Sequence, residues 1–172
     1  MIKCINFEIK KTVFPNGEIQ IEIVPNNKVV SMRGSIEWEF EDLKEITELL
    51  MIVLAMNSEG VIKERLFIPY FPFSRMDRVN KGSAFMLRPL SNFINSFHFN
   101  EVGIIDPHSE VTTALIENLK VFNQHEIFSD YFKERGFFLI SPDAGALKKI
   151  YKLAEIVDPI DIIECSKKRD FK

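Results

Sequence analysis

The order of elements along the chain predicts an α/β protein: a parallel sheet flanked by helices, behind an antiparallel opening. Three observations carry this. Residues 65–110 read as strand, charged loop, helix, strand, charged loop, which is one βαβ unit. A strand–helix–strand pattern recurs over 137–165, and the first forty residues carry only strand and turn signals. These divisions predict one α/β domain over 1–135 and the start of a second, with a thin and incomplete core, over 136–172.

Taken in order, Ile2–Ile9 alternates loosely and reads as a strand. Phe14-Pro15-Asn16-Gly17 is a turn, because proline presets φ and Asn-Gly accepts positive φ. Residues 18–24 alternate strictly, with Ile19, Ile21 and Ile23 on one face. Residues 28–32 and 35–40 look like further strands, so the opening resembles a small antiparallel meander. Glu41 and Asp42 suit the positive end of a helix dipole, and Leu43, Ile46, Leu49, Leu50 and Val53 give the following helix an apolar face. Its end, Leu49–Met56, is apolar all round, which calls for burial on more than one side and for self-association.

Residues 65–71 are apolar enough for a buried strand that ends at Pro69 and Pro72. A helix starts near Met86, since Pro89 is tolerated only in a first turn, and Met86, Leu90, Phe93, Ile94 and Phe97 face one way. Residues 101–105 form the next strand. Pro107 biases Asp106 toward an extended conformation, which would turn Asp106 and His108 to the same side. Helices are expected over about 110–119, 128–135 (stopped by Gly136) and 145–156, and strands over 137–140 and 160–165.

Hydrophobic residues at 46% and charged residues at 27% are ordinary for a globular protein. The net charge of −3 gives no support to nucleic-acid binding. Cys4 and Cys165 lack metal-ligand spacing and suggest a reducing, cytoplasmic setting. The N-terminus has no apolar signal core, and the longest apolar run is far too short to cross a bilayer.

Neither a GxxxxGK[ST] nor a GxGxxG loop is present, so a nucleotide site would have to use side chains and metal. Four charged clusters follow the expected strands: SRMDR (74–78), DPHSE (106–110), SPDAG (141–145) and SKKRD (166–170). Carboxylates and an imidazole beside several cations are the inventory of phosphoryl transfer. Mg²⁺ takes carboxylates plus phosphate oxygens, and Arg and Lys stabilise the transferring group. Ligands collect at the carboxyl ends of strands in open α/β sheets, which would make Arg75, Asp77, Asp106 and His108 neighbours. Each cluster also has a plain structural reading: a solvated loop, a capping Asp-Pro turn, a helix N-terminus or a basic tail.

In this order and spacing FPNGE, YFPFSRMDR, DPHSE, SPDAGALKK and KKRD resemble the ribose-phosphate diphosphokinases, over about 14–169. The resemblance implies phosphoribosyltransferase-like domains and homo-oligomers built from dimers, commonly hexamers. The reaction implied transfers the diphosphoryl group of ATP to ribose 5-phosphate with Mg²⁺, giving AMP and 5-phosphoribosyl 1-diphosphate. It implies that the loop of Phe14, Asn16, Gly17 and Glu18 reaches a neighbouring subunit and meets adenine. Arg75 would bind ATP phosphate, with Met76 and Asp77 beside it. Asp106 and His108 would sit at a Mg²⁺–ATP site, and Asp143 at a second metal near the sugar. Lys167 and Arg169 would close over the reacting phosphates as the catalytic cations.

Departures from the pattern are Asn16 for Asp, Met76 for Gln and Ala146 for the second glycine of DxGG. The opening strand–helix unit is reduced to one strand, and no acidic, Gly-rich DDxxxxGGT-type loop follows KKRDFK. That loop holds the sugar phosphate in the family. The expectation is therefore a partial or truncated synthetase with most of an ATP half-site and little of the ribose 5-phosphate half-site. The rival is a non-catalytic homologue that assembles with a full-length synthetase and regulates it. A third reading, an unrelated α/β domain, has five ordered motifs against it.

Overall fold

The structure, a computed structural model, describes residues 1–26, 33–129, 131–132 and 136–166. The chain divides into two compact units, Met1–Val121 and Phe122–Lys172.

The first unit is built on a five-stranded sheet. β1 (Ile2–Ile5) runs antiparallel to β4 (Arg33–Trp38), and β4, β5 (Ile62–Ile68) and β6 (Glu101–Ile105) run parallel. β7 (Leu119–Phe122) lies at the far edge, so the order is β1-β4-β5-β6-β7. Parallel neighbours need crossovers, and helices supply them: α1 (Lys44–Ser58) between β4 and β5, α2 (Leu87–Asn95) between β5 and β6. A short α3 (Glu110–Leu115) follows β6. The core lies on the sheet, with Ile36, Trp38, Leu66, Ile68 and Ile104 buried beneath the helices.

The strand expected over 2–9 is two strands. Asn6 takes a φ of 79°, which asparagine tolerates better than most residues, and its Nδ2 donates to Arg33 O at 3.0 Å. The chain then leaves the main sheet. β2 (Phe7–Val13) pairs residue for residue with β3 (Ile19–Pro25) as a separate antiparallel hairpin. The antiparallel pairing expected of the opening is thus present but divided between two sheets. The strand expected at 28–32 lies outside the described residues.

α1 lies between the hairpin strand β3 and the sheet strand β5 and buries Leu49, Ile52, Val53 and Met56. It begins at Lys44, whose N–H donates to Asp42 Oδ1 at 2.9 Å. Leu43 therefore precedes the helix and is exposed, which corrects its place on the apolar face. Leu54, eleven residues on, is exposed too, so the helix end is not buried all round. Residues eleven apart lie about three turns apart on one side, here the side facing neither sheet nor hairpin.

α2 starts where Pro89 required, with Met86 as its N-cap, but its buried face is Leu87, Leu90, Ser91 and Ile94. Phe97 is buried just beyond the helix, while Met86 and Phe93 are only half-buried. Phe93 packs edge-on against Phe97 at 4.6 Å between ring centroids.

In the second unit β8 (Phe138–Ser141) and β9 (Asp161–Glu164) are parallel and joined through α5 (Leu147–Val157). α4 (Gln124–Ser129) packs against α5 and begins earlier than the helix expected from Phe128. Residues 130 and 133–135 of that expectation lie outside the described residues.

Burial pushes the Cys4 thiol on β1 up to about 11, whereas Cys165 is exposed. At pH 8 a thiol reagent is expected to label Cys165 quickly and Cys4 only after denaturation, because the thiolate is the reacting form. Two fast thiols of equal rate in the native protein would contradict this.

Candidate functional site

Because β5 and β6 are parallel neighbours, the loops that follow them, 69–85 and 106–109, leave the same end of the sheet. Ile105 N–H donates to Pro69 O at 3.2 Å and joins the two where they depart. The first loop then turns sharply. Phe73 has a φ of 58°, a conformation uncommon for a bulky side chain, and its ring packs 6.0 Å from that of Phe40. Met76 N–H donates to Phe73 O at 2.8 Å, and Leu87 N–H donates to Met76 O at 3.3 Å, which ties the turn to the start of α2.

This turn sorts the SRMDR side chains. Ser74 and Asp77 face inward, and Arg75, Met76 and Arg78 face outward. Asp77 is only 5% exposed although the four residues on either side, 75–76 and 78–79, are exposed. Ser109, from the second loop, and then Arg78 hold its carboxyl below the ordinary aspartate range. Arg78 Nε lies 3.0 Å from Asp77 Oδ1. Ser109 Oγ is buried and approaches without completing a hydrogen bond. The one carboxylate of the first loop is thus taken by Arg78, and Arg75 makes no ion pair among the described residues.

The second loop departs from expectation. Asp106 has a φ of 44°, so it is left-handed rather than extended. Proline disfavours the right-handed helical region for the residue before it, and aspartate tolerates the left-handed one. The argument that residues two apart in an extended chain share a side therefore fails for Asp106 and His108. Asp106 is half-buried and His108 is exposed at the mouth of the loop.

The hairpin tip is a closed turn. Phe14 N–H donates to Glu18 O at 2.8 Å, Gly17 N–H donates to Phe14 O at 2.9 Å, and Gly17 has a φ of 85°. Asn16 Oδ1 accepts from Glu18 N–H at 3.1 Å. Phe14 is 42% exposed. Phe14, Gly17 and Glu18 line an open cavity of about 620 Å³ with Lys44, Thr47 and Met51 of α1, and no residue of the strand-end loops enters it.

In the second unit Asp143 Oδ1 accepts from Gly145 N–H at 3.0 Å and Ala146 N–H at 3.1 Å, which is why α5 starts at Leu147 rather than at the glycine. The Ser141 hydroxyl donates to Asp143 O at 2.9 Å. Asp143 and Glu164 border an open cavity of about 590 Å³ at the strand ends of this unit. Among the described residues no three His, Cys, Asp or Glu side chains are grouped to hold a metal, and no helix is long and apolar enough to cross a membrane.

No family model matches the chain. Individual proteins do. The ribose-phosphate pyrophosphokinase of Thermococcus kodakarensis is 28% identical over 159 residues, covering 90% of this chain and 55% of that protein. Its Pyrococcus furiosus counterpart is 30% identical over 159 residues, covering 88% and 54%. Over most of its own length the chain is similar to the ribose-phosphate pyrophosphokinases. The fold agrees: the crystal structure of phosphoribosylpyrophosphate synthetase from Mycobacterium smegmatis matches 95% of this chain with a TM-score of 0.74, at 16% identity. The chain spans about half the length of the ribose-phosphate pyrophosphokinases it matches.

Of the residues expected from the family resemblance, Arg75, Met76, Asp77, Asp106 and His108 sit on the two joined strand-end loops. Phe14, Asn16, Gly17 and Glu18 form the hairpin tip, and Asp143 belongs to the second unit. Lys167 and Arg169 lie outside the described residues. Sequence reasoning passed over Ser109. Its position before Glu110 reads as an ordinary helix cap, and only its neighbours in space mark it out.

Proposed function

We propose that this chain carries the Mg²⁺–ATP half of a ribose-phosphate diphosphokinase, whose reaction converts ATP and ribose 5-phosphate to AMP and 5-phosphoribosyl 1-diphosphate. The observation that carries the reading is the exposed Arg75, which makes no ion pair among the described residues, on a loop joined to the one bearing His108. A planar guanidinium with no carboxylate partner is suited to a forked contact with phosphate oxygens.

Mg²⁺ keeps several waters and takes few protein ligands beyond the nucleotide's phosphates. One imidazole and one carboxylate at the end of β6, His108 and Asp106, fit an ion delivered with ATP better than one held in a protein cage. When bound, Mg²⁺ neutralises phosphate charge. Arg75 orients the phosphates, the Phe14–Glu18 tip offers an aromatic ring and polar groups to adenine across a dimer of a larger homo-oligomer, and Asp143 serves the sugar side. Lys167 and Arg169 act as the cations that close on the reacting group.

The 172 residues contain no acidic, Gly-rich phosphate loop. A polypeptide of these residues is expected to bind Mg²⁺–ATP by calorimetry and to release no AMP when ribose 5-phosphate is added. Absence of nucleotide binding would remove the proposal, and robust AMP release would remove the division into half-sites.

A further inference from the structure

We propose that Asn95, the last residue of α2, is a positioning residue for His108 and acts through α3. Its amide caps that helix from across the fold and so fixes where the His108 loop sits. The effect on Mg²⁺–ATP rests on the nucleotide reading above; the placement of His108 does not.

α3 needs such support. It has six residues, and a helix so short is marginal by itself. Its N-cap, Ser109, makes no side-chain capping hydrogen bond among the described residues. At the other end Ile116 is extended, with φ −96° and ψ 124°, where a left-handed glycine commonly closes a helix. The carbonyls of a last turn have no partners within the helix and must find them elsewhere.

Asn95 supplies one. Its Nδ2 donates to Leu115 O at 2.9 Å, and its Oδ1 accepts from Glu117 N–H at 3.0 Å. A side-chain amide carries both a donor and an acceptor, so one residue holds the backbone on both sides of Ile116. Asn118 anchors the same segment to the turn after α2. Its Nδ2 donates to Phe99 O at 3.0 Å, and its carbonyl accepts from Val102 N–H at 3.0 Å.

Residues 115–118 are thereby pinned beside the start of β6, whereas His108 follows the end of that strand. α3 is the rod between the two. Val111 and Leu115 pack against the core, and Thr112 and Ile116 are buried. Thr112 N–H donates at 3.2 Å to the carbonyl of Ser109, the residue next to His108. Freeing the far end of this short helix therefore moves the loop at its near end. Arg75 stands on the loop before α2, outside these hydrogen bonds.

The test uses the 172-residue chain as Asn95→Ala and Asn95→Asp. Loss of two hydrogen bonds in Asn95→Ala should speed hydrogen exchange at the 111–117 amides about tenfold or more. The nuclear magnetic resonance signal of the His108 ring should move, while that of His125 in the second unit stays. By calorimetry Asn95→Ala should weaken ATP about threefold to tenfold with Mg²⁺ present, through lost preorganisation, and leave the Mg²⁺-free affinity at the parent's value. Asn95→Asp keeps the acceptor for Glu117 N–H and loses the donor, so it should fall between the two, and it carries the test if Asn95→Ala does not fold. Unchanged exchange, or a His108 signal that stays in place, would overturn the proposal. Equal loss of affinity with and without Mg²⁺ would also overturn it, since a residue that only stabilises the fold would act so. A parent that binds no Mg²⁺–ATP would overturn the nucleotide reading instead, and exchange and the His108 signal would still decide the role of Asn95.

Discussion

Arg75→Ala is expected to weaken Mg²⁺–ATP binding about tenfold to a hundredfold. The substitution removes a charged fork aimed at phosphate, and contacts of that kind contribute roughly 1.5–3 kcal/mol, each 1.4 kcal/mol or so being a factor of ten. Arg75 is the right residue to remove because it is exposed and makes no ion pair among the described residues. Asp77 is paired with Arg78, so the loop keeps its internal ion pair in the variant. His108→Ala should weaken binding mainly when Mg²⁺ is present, since an imidazole at the loop mouth is proposed to meet the metal rather than the base. Lys167→Ala should leave ATP affinity nearly intact, because that cation is assigned to the reacting complex. Calorimetry on the parent and three variants, with and without Mg²⁺, separates these roles. Equal affinity of parent and Arg75→Ala would refute the site whatever the fold.

Gly34→Ala is expected to destabilise the first unit by about 1–3 kcal/mol, the usual range for overfilling a packed core. Gly34 is buried on β4 where three elements converge. A Cβ placed there would lie 2.8 Å from Met56 Cε and 2.9 Å from Phe7 Cε2. The Met56 methyl is the end of a flexible chain and can retreat. The Phe7 ring is stiffer, and it sits at the root of the hairpin, in register with Pro25. Relief therefore has to come from moving β2, the strand that carries the Phe14–Glu18 tip. For a chain of this size the loss corresponds to a fall in the thermal midpoint of about 2–4 °C per kcal/mol. Thermal or urea unfolding of the first unit reads it out. A variant as stable as the parent would mean that the hairpin and α1 do not close on β4 as described.

Much of the architecture is legible in the sequence because it depends on neighbours along the chain. Strand β6 was placed at residues 101–105 by an apolar run between a turn and an Asp-Pro. The start of α2 was placed by a proline that only a first turn accepts. The tip at Phe14–Glu18 was placed by Asn-Gly. The candidate residues themselves came from the recurrence of charged clusters after strands, which is a pattern along the chain.

Where sequence reasoning stopped short, the deciding contact came from another part of the fold. Loose alternation over 2–9 is compatible with one strand or two. The positive φ at Asn6, with its side chain bonded to Arg33, divides it between two sheets. Leu43 fits the apolar stripe by spacing and Leu54 falls in the all-apolar helix end, yet both are exposed, because an apolar pattern does not say whether anything lies against it. Asp106 followed the rule that proline excludes the right-handed helical region, but the rule leaves both extended and left-handed backbone open.

The strand-end loops divide in the same way. Which charges lie on each loop, and that both loops follow strands, is a property of the chain's order, read from hydrophobic period and turn chemistry. Which of those charges faces outward is not. Arg75 and Asp77 are two residues apart in one polar stretch, and nothing local tells them apart. The turn at Phe73, the pairing of Asp77 with Arg78 and the approach of Ser109 from the next loop bury the carboxylate and leave the guanidinium exposed. Burial of a charge is settled by the groups that surround it in space, and here one of them, Ser109, lies thirty-two positions further along the chain.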